Sequence, residues 1–225
     1  MKLLIGILFV WLIAPNLLFA QSEVSGRVVF EGAAPRAQQI QVKSEMASCG
    51  TMKEVRPLVL GKNNGVANTV VTLLGASGSI TPKDGLLDQI GCEFTPHVQV
   101  LPLNSTLKVT SSDPVLHNTH GFYEDGSTAF NVAIPIAGTE IPVKLKRPGV
   151  IKIRCDAGHT WMGAYVVVTD QPFYAVTDAG GNFKIEGIRP GTYEIEVWQE
   201  WIGKHREPIT VQEGSEPVTI TLRKS

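Results

Sequence analysis

The run Val150-Ile151-Lys152-Ile153-Arg154-Cys155-Asp156-Ala157-Gly158-His159-Thr160-Trp161-Met162-Gly163-Ala164-Tyr165-Val166-Val167-Val168 reads as strand, loop, strand. Its first part alternates apolar and charged residues, the period of a strand with one buried face. Its last part is rich in β-branched residues, which suit a pleated, packed surface. At period two, Ile151, Ile153 and Cys155 share a face, so the cysteine that ends this apolar row turns its sulfur inward. The loop then supplies an imidazole at His159 and a thioether at Met162. Thiolate, imidazole and thioether form a soft donor set, and a weak axial thioether separates a blue-copper electron-transfer site from a zinc site. The run is therefore a candidate copper loop.

Working outward, the chain continues as strand after strand, with no helical period over a helix-length window. Residues 25–30, 67–74, 97–101, 106–110 and 163–168 all fit strands, and Asn63-Asn64-Gly65, Asn104-Ser105 and Pro148-Gly149 are turn signals between them. An all-β sandwich is expected over residues 60–170. Beyond Asp170-Gln171-Pro172 the strands shorten, at 174–177, 182–186, 192–198 and 218–222, which predicts a second, smaller β-sandwich over 171–225.

At the other end, Lys2 precedes an apolar run from Leu3 to Ile13, Pro15-Asn16 interrupts it, and Ala20 offers a small residue for cleavage. Residues 1–20 read as a signal peptide. A membrane anchor is the alternative, but the run falls short of the ~20 apolar residues that span a bilayer. The mature chain is expected to be periplasmic or secreted and not membrane-spanning after cleavage.

The whole chain carries 20 Lys plus Arg against 21 Asp plus Glu, and residues 1–20 hold one Lys and no acid. With no basic excess, nucleic acid is not an expected partner. Three cysteines make an odd set, and in an oxidising compartment two are expected to pair. Cys155 is the natural odd one, because metal ligation both uses and protects a thiolate. Cys49 and Cys92 would then form a disulfide, an inference from the count.

Residues 60–169 resemble a cupredoxin of the plastocyanin-like blue copper family. The resemblance is carried by Phe94-Thr95-Pro96, Leu103-Asn104-Ser105-Thr106, His117-Asn118 and Cys155, His159 and Met162, in that order. It implies a cupredoxin-like Greek-key β-sandwich with His117, Cys155 and His159 as equatorial copper ligands. Met162 would be the axial ligand and Asn118 a brace on the cysteine loop. The loop spacing matches the second half of the binuclear copper-A loop of cytochrome oxidase. Ile151 stands where that loop has its first cysteine, so a mononuclear centre is expected. Plastocyanin-like loops have a shorter gap between Cys and His.

Residues 171–225 resemble the transthyretin-like (prealbumin-like), carboxypeptidase regulatory-like module, through Thr177-Asp178-Ala179-Gly180-Gly181-Asn182-Phe183 and Pro190-Gly191-Thr192-Tyr193. Asp178 and the glycines suit a hairpin turn, and Phe183 and Tyr193 suit cross-strand burial. The tail is short for this module, and Gly26-Arg27-Val28-Val29-Phe30-Glu31-Gly32 resembles its opening strand. The 21–59 segment is therefore expected to complete the C-terminal sandwich.

Each candidate has a plainer reading. Cys155 could be an inert buried thiol, since free cysteine behaves as a small hydrophobe, and His117 a turn residue following Asp113-Pro114. His97 and His120 are further candidate nitrogen donors, with a hydrogen-bonded strand histidine and a surface group as their alternatives. Trp161 could shield the metal, help an electron leave, or simply pack. His205, beside Lys204 and Arg206, reads as a solvated loop residue. No Gly-x-Ser-x-Gly elbow, His-Glu-x-x-His helix or phosphate loop is present.

The leading expectation is an exported mononuclear copper protein for one-electron transfer. Its partner would be an exported redox protein or a dehydrogenase, docking near the exposed edge of a ligand histidine. The alternatives are a copper carrier, a metal-free carbohydrate-binding or adhesion module pair, and a small copper oxidase if His97 or His120 adds a ligand.

Overall fold

The computed structural model describes residues 22–224. The expected signal segment, 1–20, lies outside the described residues. The expected all-β class is found: strands form two sandwiches, and among the described residues the helical pieces are a four-residue turn of α-helix at Met46–Cys49 and a 3-10 turn at Lys62–Asn64.

The first sandwich packs a five-stranded sheet on a four-stranded one. The larger sheet runs in the order Thr128–Ile134, His117–Tyr123, Gly149–Arg154, Gly163–Thr169, Val98–Pro102, with the last pair parallel. The smaller runs Ile141–Lys144, Thr106–Val109, Asp84–Gln89, Phe94–Thr95. Alternation along Gly149–Arg154 sends Ile151 and Ile153, both fully buried, into the core between the sheets, together with Leu87, Leu107, Val109 and Val166. Cys155 and Met162 belong to that same apolar cluster. The rigid packing of such an interior is what lets it hold donor atoms in fixed positions.

In the second sandwich, Asn182–Ile188, Ser22–Phe30 and Val218–Leu222 face a sheet of Tyr174–Val176, Val70–Leu74, Gly191–Gln199 and Gly203–Val211. The N-terminal strand Ser22–Phe30 is thus the central strand of a sheet made otherwise from the C-terminal part of the chain. Val70–Leu74, drawn from sequence into the 60–170 unit, pairs instead with Gly191–Gln199 and Tyr174–Val176. Four of its five residues are buried. A strand covered on both faces reads the same in either sandwich, so its apolar pattern could not assign it. The two loops beside this sheet approach backbone to backbone: a Cβ on Gly65 would lie 1.9 Å from the Gly180 carbonyl oxygen.

The segment between these units does not stay with either by sequence order. Gln38–Gln41 and Met52–Val55 form a two-stranded hairpin. Val42 and Cys49 from this hairpin are buried in the core of the first sandwich. The expected Cys49–Cys92 disulfide is present, with an S–S distance of 2.00 Å. Lys53 adds a bond to the Gly91 carbonyl and an ion pair with Glu93. A hairpin from the N-terminal segment is thereby fastened over one end of the first sandwich.

A third apolar cluster joins the sandwiches. Val98, Val100 and Val150 of the first meet Val70 and Trp198 of the second, flanked by Tyr165, Val167, Tyr174 and Val176.

Candidate metal centre

Three of the sequence candidates converge at the fastened end. His117 opens the strand His117–Tyr123, Cys155 follows the last residue of Gly149–Arg154, and His159 lies in the loop before Gly163–Thr169. The alternation that buries Ile151 and Ile153 carries Cys155 inward, and residues 117, 119 and 121 face the same interior. His117 is 0% and His159 1% exposed.

The donor atoms define a small triangle. His117 Nδ1 lies 3.1 Å from His159 Nδ1, and the Cys155 Sγ is 3.5 Å from His159 Nδ1 and 4.0 Å from His117 Nδ1. The corners of that triangle lie about 2.1 Å from a common centre, within the ~2.0–2.3 Å reach of metal bonds to imidazole and thiolate. Two imidazoles and one thiolate at these separations could hold a single metal ion. Met162 is buried in the same apolar cluster as Cys155, and its backbone N–H donates to the His159 carbonyl at 2.9 Å, which tightens the loop.

The surroundings orient each donor. Asn118 donates its backbone N–H to the Cys155 sulfur at 3.4 Å. Its side-chain Oδ1 accepts from the Asp156 N–H at 3.4 Å, and its Nδ2 donates to Asn131 and to the Val132 carbonyl. Asn118 therefore ties the start of one strand to the end of another. Burial pushes the Cys155 thiol above its ordinary value, partly offset by N–H donors from Asn118, Ala157 and His159. Burial also holds the His117 imidazole below its ordinary value despite Asp113, with help from nearby His159. Its neutral form is the one that offers a lone pair.

Two carboxylates at the site were missed by sequence reasoning. Asp113 Oδ2 accepts from His117 Nε2 at 2.9 Å, and Glu45 Oε2 accepts from His159 Nε2 at 2.5 Å. Asp113 preceded His117 only as part of a turn signal. Glu45 is separated from His159 by 114 positions, and no local pattern could link them.

The disulfide also borders the centre, with Cys49 Sγ 3.9 Å from His159 Nε2. Trp161 donates from Nε1 to the Cys92 carbonyl at 2.9 Å. Its ring centroid is 5.2 Å from that of His159.

The other two histidines lie elsewhere. His120 is three residues beyond His117, and an odd step along a strand reverses the face. Its Nδ1 donates to Asp156 at 2.6 Å and it stacks on Phe122. His97 donates from Nδ1 to the Gly163 carbonyl at 3.1 Å and from Nε2 to Glu200 at 2.5 Å, between the two sandwiches. Neither joins the donor triangle. The expected exposed ligand edge is also absent among the described residues, because both candidate ligand imidazoles are covered by the hairpin and the adjoining loops.

Comparison with known proteins finds similarities over part of the chain. Residues 152–223 match the carboxypeptidase regulatory-like domain family. This match begins within the last strands of the first sandwich and runs to the end of the second. A copper-containing nitrite reductase from Thermus scotoductus SA-01 is similar at 17% identity, over 41% of this chain and 24% of that one, with a TM-score of 0.33. A purple cupredoxin from Nitrosopumilus maritimus is similar at 21% identity, over 38% of this chain and 99% of that one, again at 0.33. No curated protein matches by sequence.

Proposed function

We propose that the chain is an exported, periplasmic or secreted, mononuclear copper protein for one-electron transfer, in which His117, Cys155, His159 and Met162 would hold the ion. The observation that carries this reading is the donor triangle, whose three atoms lie at 3.1, 3.5 and 4.0 Å from one another in a buried pocket. Copper in such a set supplies a one-electron couple between its divalent and monovalent states.

The protein residues do the rest. Cys155, His117 and His159 are each anchored to a different piece of a close-packed sandwich, so the donors keep their places when charge changes. Buried Ile134, paired with His117 across the sheet, and Ile153, two residues before Cys155, help keep water out and lower local screening. Asn118 supports the thiolate through a backbone N–H. With the ligand imidazoles buried, a partner would meet the loops that cover them. These loops carry the exposed apolar side chains Met46, Ile90 and Leu116, and half-buried Trp161 has its ring 5.2 Å from that of His159. An exported redox protein or a dehydrogenase with an apolar docking face fits that surface.

His97 and His120 have other partners, which leaves nothing to support an oxidase with an added nitrogen ligand. The test is optical: one equivalent of copper should produce an intense thiolate-to-copper charge-transfer band in the purified protein, lost in Cys155→Ser. A colourless copper complex, or a band that survives in Cys155→Ser, would contradict the reading.

A further inference from the structure

Each imidazole of the donor triangle turns Nδ1 toward Cys155 and leaves Nε2 to a carboxylate. A carboxylate only accepts, so it fixes the imidazole proton on Nε2 and the lone pair on Nδ1. Neither carboxylate is placed by chance contact at the surface. Asp113 is 6% exposed, and its two oxygens are held by backbone N–H donors from Gly91 at 2.6 Å and Cys92 at 2.7 Å. Glu45 sits at φ 57°, a left-handed conformation that non-glycine residues seldom adopt. It lies at the start of the turn whose Cys49 is joined to Cys92. Two carboxylates from distant parts of the chain thus converge on the two imidazoles, and the disulfide joins the turn that carries Glu45 to the turn whose N–H groups hold Asp113.

We propose that Glu45 and Asp113 set the oxidation-state preference of the centre, making it one that favours divalent over monovalent copper and so gives up an electron readily. This deepens the copper reading and rests on it. The argument is one of charge and donor strength. An imidazole that donates to a carboxylate becomes a stronger base at its other nitrogen, the effect of the carboxylate–histidine pairs that flank many metal ions. Together with the Cys155 thiolate, the carboxylates place three negative charges around the ion. Cys155 and Asp113 are buried and weakly screened, while Glu45, partly exposed, acts through its direct bond to the buried His159 imidazole. Each stabilises the ion with two positive charges more than the ion with one. A site supported by neutral acceptors at both Nε2 atoms would lack this bias.

The experiment is a redox titration of the copper-loaded full chain, followed through the charge-transfer band, for the wild type, Glu45→Gln, Asp113→Asn and Glu54→Gln. Glu54 lies on the same hairpin but is engaged with Arg56 and Gln39, so its variant controls for net charge alone. In Glu45→Gln and in Asp113→Asn the ratio of divalent to monovalent affinity should fall by at least about tenfold, an upward shift of about 59 mV for a one-electron couple. Glu54→Gln should stay within about threefold of the wild type.

If Glu45→Gln and Asp113→Asn keep the band but also stay within about threefold, the proposal is overturned. Equal shifts in all three variants overturn it as well, since they would reflect only overall charge. If the buried Asp113→Asn protein does not fold, Glu45→Gln decides the matter alone, because that side chain is partly exposed. A wild type with no band at all overturns the copper reading itself, an outcome visible before any potential is measured.

Discussion

Asp113 shows how one side chain can serve the fold and the centre together. Its carboxylate accepts from Gly91 N–H, Cys92 N–H and His117 Nε2, so removing it leaves two buried donors and one half-buried donor without their partner. Asp113→Ala should lower stability by about 1–3 kcal/mol. It should also weaken copper binding by about 10–100-fold, the usual cost of losing the group that orients a ligand histidine. Chemical denaturation of the metal-free protein and copper competition with a chelator measure the two effects separately. A loss of stability with unchanged copper affinity would show that Asp113 only supports the turn. Cys155, His117, His159 and Met162 could be singled out from sequence because chemistry-bearing residues recurred in a known order. Asp113 and Glu45 could not, since a carboxylate in a turn looks the same whether it faces water or an imidazole.

At the scale of elements, the hairpin of Gln38–Gln41 and Met52–Val55 is the piece whose role depends on a covalent tie. The Cys49–Cys92 bond closes a loop of 43 positions, which in the chain-entropy account contributes about 4 kcal/mol. Paired replacement of Cys49 and Cys92 by Ala should therefore lower unfolding free energy by an amount of that order, measured by denaturant titration without reductant. A change below about 1 kcal/mol would mean that Val42, Lys53 and Glu45 hold the hairpin without it. The strands themselves were legible from alternation, as with Ile151, Ile153 and Cys155. Strand pairing was less so. The apolar pattern of Val70–Leu74 does not encode which sheet it enters, and that choice is made by long-range register with Gly191–Gln199.

For the molecule as a whole, the join between the sandwiches contains a titratable contact. Burial disfavours protonated His97, but the bond and charge of Glu200 and the Gly163 carbonyl outweigh it and raise His97 above its ordinary value of 6.5. The Tyr165 hydroxyl also faces Glu200. A histidine whose value is raised by folding binds its proton more tightly in the folded state. Its stabilising contribution is complete below the unfolded value and is lost as pH rises through the folded one. The melting-temperature gap between wild type and Glu200→Gln should accordingly narrow on going from about pH 6 to about pH 9. A gap that is constant over that range would show that the contact is only a packing one. Two β-sandwiches were readable from the shift in strand length near residue 171. The crossing of Ser22–Phe30 into the C-terminal unit was readable too, from its likeness to that module's opening strand, whereas the crossing of Val70–Leu74 and the packing of Val42 and Cys49 into the first sandwich were not.

The central claim concerns the metal and its donors, and X-ray absorption at the copper edge addresses it directly. With one equivalent of copper, the account predicts one short sulfur at about 2.2–2.3 Å and two nitrogens near 2.0 Å, with the sulfur contribution lost in Cys155→Ser. A first shell of nitrogen and oxygen alone in the wild-type protein would contradict it.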